Sequence, residues 1–290
     1  MKQRASQTGF SLVELIVVVV LLGVLASGTG LLITRPIEAY EAQLRRQQLV
    51  DQGEMALRQI ARDVRRALPN SIRITAVGAG AALEMVNTVD GARYRDEFGG
   101  AYVGLADYVL DFIGPDDSFN LLGPLRNPTA FDANNRLAIY NTSVNIYAEA
   151  VDVDNQGIIT PASISLGLNN LGAGPTREDQ ITLSAPFLFT QQSPGQRAFF
   201  VDSSISYVCD PAGSQILRYA GYGFIEPQAT APTDFPPGSS GKVASDLSSC
   251  NFSYSAGSAQ RGGILTIEIA ISDSGETVNL LHQIHVVNVP

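Results

Sequence analysis

The chain of 290 residues has no tryptophan, two histidines and two cysteines, and only 16% of its residues are charged. Each scarcity narrows the function. With His282 and His285 as the only histidines, a Ser-His-Asp or Cys-His site would have to use one of them. Three residues apart on a strand, they point to opposite faces and make a poor chelating pair. Cys209 and Cys250 form no CxxC pair and no zinc-ligand spacing. Gly78–Ala79–Gly80 and Gly221–Tyr222–Gly223 lack the G-x-x-G and helix of a nucleotide site, and read as turns. Asp152–Val153–Asp154–Asn155–Gln156–Gly157 begins like a calcium loop, but Ser163 stands at the twelfth position, where a bidentate acid is needed. No catalytic residue, metal or cofactor is expected, and the chain reads as a non-enzyme.

Positive charge is also scarce where it would matter. The net charge is -9. Residues 35–68 carry seven arginines against five acids, but 69–290 carry ten basic residues against 22 acids. Such a body lacks the basic footprint of a nucleic-acid binder. It suits solubility outside the cytoplasm.

What is present begins at Gly9–Phe10–Ser11–Leu12–Val13–Glu14–Leu15, preceded by Lys2 and Arg4. An almost unbroken apolar run follows to Ile33. Phe10–Ile33 is 24 residues, a helix of ~36 Å, enough to cross a ~30 Å hydrocarbon core with some tilt. Glu14 is the odd residue. A carboxylate at the bilayer centre costs ~2.5–3.5 kcal/mol on insertion scales, so it needs a named partner. A cut between Gly9 and Phe10 would create an α-amino group four residues before Glu14, on this or a neighbouring copy. An ordinary secretory signal, cleaved around Leu25–Ala26–Ser27–Gly28, is the competing reading. Glu14 inside its apolar core argues against it. Lys2 and Arg4 place the N-terminus in the cytoplasm and the body in the periplasm.

The basic leader, the Gly–Phe junction, S-L-V-E-L and the apolar helix together resemble the signal of type IV pilins and type II secretion pseudopilins. In that family a prepilin peptidase cuts after the glycine and methylates the new N-terminal phenylalanine. The resemblance implies a leader at 1–9, cleavage between Gly9 and Phe10, N-methylation of Phe10, and an assembly contact at Glu14.

Residues 34–68 read as the same helix continued. Ile37, Tyr40 and Leu44, then Leu57, Ile60, Val64 and Leu68, recur at three- and four-residue steps. Glu41–Arg45 and Glu54–Arg58 are favourable i,i+4 pairs. Pro36 is expected to kink or restart the helix, Gly53 to weaken it by ~1 kcal/mol, and Pro69–Asn70 to end it. Residues 69–290 read as a β-rich head, with 27 glycines and 15 prolines in the chain to supply turns. Strands are predicted at 71–76, 82–89, 108–113, 137–141, 199–201 with 205–210, 215–220 and 250–255. A closing hairpin of Leu265–Ile271 and Thr277–Val289 should sit against the helix. Long loops are expected at 114–135, 154–178 and 226–241, and there is no internal repeat. In an oxidising compartment Cys209 and Cys250 could close a loop of about 42 residues, worth ~4 kcal/mol on the chain-entropy account. Two free buried thiols are the alternative.

The last third resembles MshO-type minor pilins of the mannose-sensitive haemagglutinin (MSHA) pilus system. The shared pieces are P-G-Q-R-A-F-F-V-D-S from Pro194, I-S-Y-V-C-D from Ile205, R-Y-A-G-Y-G from Arg218, C-N-F-S-Y from Cys250 and the closing H-Q-I-H-V-V-N-V-P. This implies an α+β, type IV pilin-like fold: a membrane-spanning helix, an antiparallel sheet and a disulfide-pinned C-terminal region. It implies a minor subunit of pilus assembly and surface attachment. Its partners would be prepilin peptidase, other major and minor pilins, the inner-membrane assembly platform and the lipid bilayer. A type II secretion pseudopilin shares the N-terminal logic. An adhesin-like module gripping a glycan with the long loops is a third reading, and without tryptophan any sugar stacking would fall to ten tyrosines.

Overall fold

The computed structural model describes residues 9–97, 108–151, 154–171, 178–257 and 262–290, the side chains of 27–34 and 170–171 excepted. The leader residues 1–8, Asp152 and Val153 of the calcium-like loop, and Gly172, Gly174 and Pro175 lie outside the described residues.

A single helix, α1, runs Leu12–Arg65 for 54 residues, ~80 Å at 1.5 Å per residue. The Ser11 hydroxyl accepts the Glu14 N–H at 3.2 Å and caps its start. Glu14 in the first turn and Arg62 and Arg65 in the last complement the helix dipole. Pro36 does not restart the helix, which continues through it. The helix stops at Arg65, short of the expected Leu68, because the sheet takes over the backbone. Ala67 bridges Asn87, and the Leu68 N–H donates to the Val86 carbonyl at 2.9 Å.

The strands are β1 Arg73–Val77, β2 Gly80–Arg93, β3 Asp116–Asn120, β4 Arg136–Ile139, β5 Gln156–Gly157, β6 Leu166–Leu171, β7 Glu178–Phe189, β8 Arg197–Asp210, β9 Gln215–Ala220, β10 Ser240–Ser245, β11 Leu247–Ser255, β12 Gly263–Asp273 and β13 Glu276–Val286. A short helix, α2 Ile146–Val151, lies between β4 and β5. The class is α+β. Six strands form one sheet in the order β1-β2-β8-β9-β10, with β4 also on β8. β11-β12-β13 form a second sheet, and β3-β7-β5 with β6 a third. Among the described residues all strand pairings are antiparallel except the two-residue β5 with β7.

Two main cores result. The first lies between the C-terminal half of α1, the inner face of β12 and β13, and the six-stranded sheet. It gathers Leu57, Ile60, Val64, Met85, Tyr207, Ile267 and Ile271. The alternation expected of the closing hairpin is met, with Leu265, Ile267, Ile269, Ile271, Val278, Ile284 and Val286 all buried. The second core is built by the chain's middle region around β7, from Tyr94, Phe119, Leu121, Ile181, Phe187, Phe189 and Phe200.

Several sequence expectations are corrected there. The strand expected at Tyr108–Ile113 does not form. The Asp116 carboxylate accepts the Asp111 N–H at 2.9 Å and the Asp111 carboxylate the Ile113 N–H at 2.8 Å, so side chains hold donors that a ladder would need. The loop expected at 114–135 contains β3, and the one at 154–178 contains β5 and β6. Strand β7 was not expected. Pro186 interrupts its pattern and sits where its register with β3 shifts, between residues 182 and 187. Gly167 in β6 suits its place, since a Cβ there would fall 2.3 Å from Thr182 Oγ1 across the ladder. The split at Asp202–Ser203 resolves into one continuous β8 whose partners change: β4 faces 198–201 and β9 faces 205–210.

Candidate functional site

The N-terminal segment stands clear of the head. Phe10 is 80% exposed, and every leucine, valine and isoleucine from Leu12 to Leu25 is at least 45% exposed. These side chains point in all directions round α1, with no polar face to meet water. Such all-round apolarity belongs to helices buried in protein or lipid. Glu14 lies one turn in and makes no ion pair with a described residue. Among the described residues no helix is long and apolar enough to cross a membrane. The second part of the expected span at 10–33 runs through 27–34, whose side chains are not described. Ile37, Tyr40 and Leu44 continue an exposed apolar stripe, 52%, 63% and 40% accessible. From Leu49 onward the stripe is buried on the head. Glu41–Arg45 and Glu54–Arg58 pair at 3.9 and 2.6 Å on the solvent side.

The head grips α1 through contacts that the sequence did not advertise. A Cβ on Gly53 would lie 2.3 Å from Leu280 Cδ1 and 3.2 Å from Ile271 Cδ1. Gly53 therefore marks a close approach of helix and sheet rather than a flaw in the helix. Asp63 is buried in the last turns, where one carboxylate oxygen accepts the Tyr207 hydroxyl and the Arg218 Nε–H, each at 2.7 Å. Burial, with the Asp63 carboxylate adding to it, pushes the Tyr207 phenol above its ordinary range. Burial lowers the Arg218 guanidinium, but Asp63 more than offsets this and raises it. Gln52 Nε2 donates to the Ser245 carbonyl at 2.9 Å. Cys209 of β8 and Cys250 of β11 form a disulfide with Cα atoms 6.1 Å apart, tying the six-stranded sheet to the C-terminal one. There are no free thiols among the described residues.

The expected loops are not free arms. Leu121, Leu125, Ile158, Ile159 and Ile164 are buried. The 226–241 segment is laid over the outer face of the large sheet, with Phe235 stacked on Tyr219 at 3.8 Å. Its root is held by a buried cluster. Arg73 donates to Glu84 at 2.7 Å, pairs with Glu226, and lies 3.7 Å over the Tyr147 ring. Tyr222 donates to the other Glu84 oxygen at 2.7 Å. Burial pushes the Glu84 carboxyl above its ordinary range, opposed by Arg73. His282 and His285 sit on β13 with opposite parity, His282 half-buried and His285 exposed.

The comparisons bear on the N-terminal segment. The family model described as "Prokaryotic N-terminal methylation motif" matches residues 4–30, a stretch that contains Gly9, Phe10 and Glu14. No curated protein and no solved structure matches the chain. The chain thus carries the N-terminal signal of a processed, type IV pilin- or pseudopilin-like subunit. That signal implies processing by prepilin peptidase and assembly with pilins.

Proposed function

We propose that this chain is a membrane-anchored minor pilin of the MshO type, acting without catalysis in the assembly of an MSHA-type pilus and so in surface attachment. The observation that carries this reading is the methylation motif, continued without a break into a helix that is apolar on every side from Leu15 to Leu25 and rooted in a disulfide-tied head. The peptidase removes residues 1–9, and Phe10 becomes the methylated N-terminus. The apolar helix holds the subunit in the inner membrane with its head in the periplasm. On assembly the helix leaves lipid for the company of other pilin helices, so its apolar surface stays covered throughout. Glu14 sets register by pairing with the terminal amine of a neighbour, a desolvated pair whose loss costs several kcal/mol per contact, ~3–5 by analogy with buried pairs.

Intact and N-terminal peptide mass spectrometry of the protein from its native membrane tests the processing. A start at Phe10 with one added methyl is expected, and a start near Ser27 would overturn the reading. The Glu14→Ala protein should insert and be processed yet fail to enter filaments. Its incorporation at wild-type level would remove Glu14 from assembly. A type II secretion pseudopilin shares this N-terminal chemistry. A deletion strain that keeps its pili but loses protein export would decide for that alternative.

A further inference from the structure

At the far end of α1 from the N-terminal segment, the head opens into a cleft of about 640 Å³. Among the described residues five arginines line it, Arg65, Arg66, Arg93, Arg126 and Arg197, against one carboxylate, Asp90. They come from the last turn of α1, its C-cap, β2, the segment after β3 and the start of β8, so the tertiary fold assembles the group. None of the five forms an ion pair with a described carboxylate. Arg66 and Arg197 donate only to backbone carbonyls, of Thr88 at 3.4 Å and Val289 at 2.9 Å, and Arg93 to the Gln196 amide. Asp90 accepts the Gly91 and Asn127 N–H groups at 2.7 and 2.8 Å. The partly buried arginines of the head at Arg73 and Arg218, by contrast, are paired with Glu84 and Asp63. Three of the five, Arg93, Arg126 and Arg197, belong to a stretch, 69–290, with ten basic residues and 22 acids, and Arg65 and Arg66 join them from the arginine-rich end of α1.

We infer that this cleft is a docking site for an acidic segment of a partner polypeptide, one that carries both carboxylate and aliphatic side chains. Guanidinium forks match carboxylates bidentately. The wall between them exposes aliphatic groups, with Val287 70%, Val289 44% and Leu122 41% accessible. A peptide can cover these with side chains of its own, which a sugar or phosphate backbone cannot. Among the described residues the lining contains no tyrosine or tryptophan and one half-buried phenylalanine, Phe199, so it offers little of the ring stacking by which single-stranded nucleic acids are held. The charge of such a segment is complementary to that of the cleft. The inference does not depend on how the N-terminus is processed.

The test uses the full chain in neutral detergent micelles and fluorescence anisotropy of a short labelled peptide of paired glutamates and paired valines. Binding is expected, weakened by salt, and absent for the peptide with glutamine in place of glutamate. Arg65→Glu and Arg126→Glu lie on separate elements at the surface, and each should weaken binding by about tenfold or more. Arg46→Glu, on α1 outside the cleft, should leave it unchanged. No binding by the unsubstituted protein, or binding by either cleft variant as tight as that of the unsubstituted protein, would overturn the inference. So would tighter binding of polygalacturonate or single-stranded DNA than of the peptide.

Discussion

Asp63 holds two partners with a single oxygen, and its loss strands both. The Asp63→Ala protein would leave the Tyr207 hydroxyl and the partly buried Arg218 guanidinium without their acceptor. We expect the head to lose about 3 kcal/mol, read by chemical denaturation. A change under about 0.5 kcal/mol, the size of an ordinary surface substitution, would show that the cluster does not hold the helix. In the sequence Asp63 is an ordinary acid in an arginine-rich helix, and Arg218 stands 155 residues away. Periodicity placed Ile60 and Val64 inward but could not say what waits beneath Asp63. Glu14 is the opposite case. Its oddity is local, a carboxylate in an apolar run, and needs no tertiary contact to be seen. Gly53 lies between them, visible as a helix-weakening residue but explained only by Leu280 and Ile271 across the gap.

Among the elements, the disulfide joins two sheets rather than two neighbouring strands, since Cys209 and Cys250 come from β8 and β11. Replacing both cysteines by serine should therefore loosen the C-terminal sheet against the rest, at a loss of about 2–4 kcal/mol. An unchanged melting temperature under oxidising conditions would argue that packing alone aligns the sheets. The closing hairpin was legible because its alternation is clean and its pairing is local. The strands of the middle region were not. β6 carries one glycine and two asparagines among its six residues, and β7 is broken by Pro186, so neither has strong local preference. β7 becomes a strand because β3 and β6 flank it as partners, and β6 because β7 pairs with it. The segment from 108 to 113 failed in the reverse sense: its residues favour a strand, but nearby aspartates capture the backbone first.

For the whole molecule, buried phenols set a limit at high pH. Tyr94 is pushed up to about 12 by burial. Burial raises Tyr147, Tyr207 and Tyr222 as well, each with a neighbouring carboxylate adding to it. In the unfolded chain tyrosine ionises near ~10, so the unfolded state releases protons first. The stability these phenols hold below ~10 is lost as pH rises through their folded values. The melting temperature should fall steeply between about pH 10 and 12. A flat profile over that range would mean that the phenols are not enclosed. By itself the sequence determined the N-terminal signal, the apolar helix, its amphipathic continuation and the closing hairpin, because these are written in periodicity and short motifs. Only the tertiary structure decided the second core of the middle region, the packing of the long loops, the partners of Asp63 and the arginine-lined cleft. Those features join residues far apart in the chain, and their energies come from desolvation and pairing that no local pattern encodes.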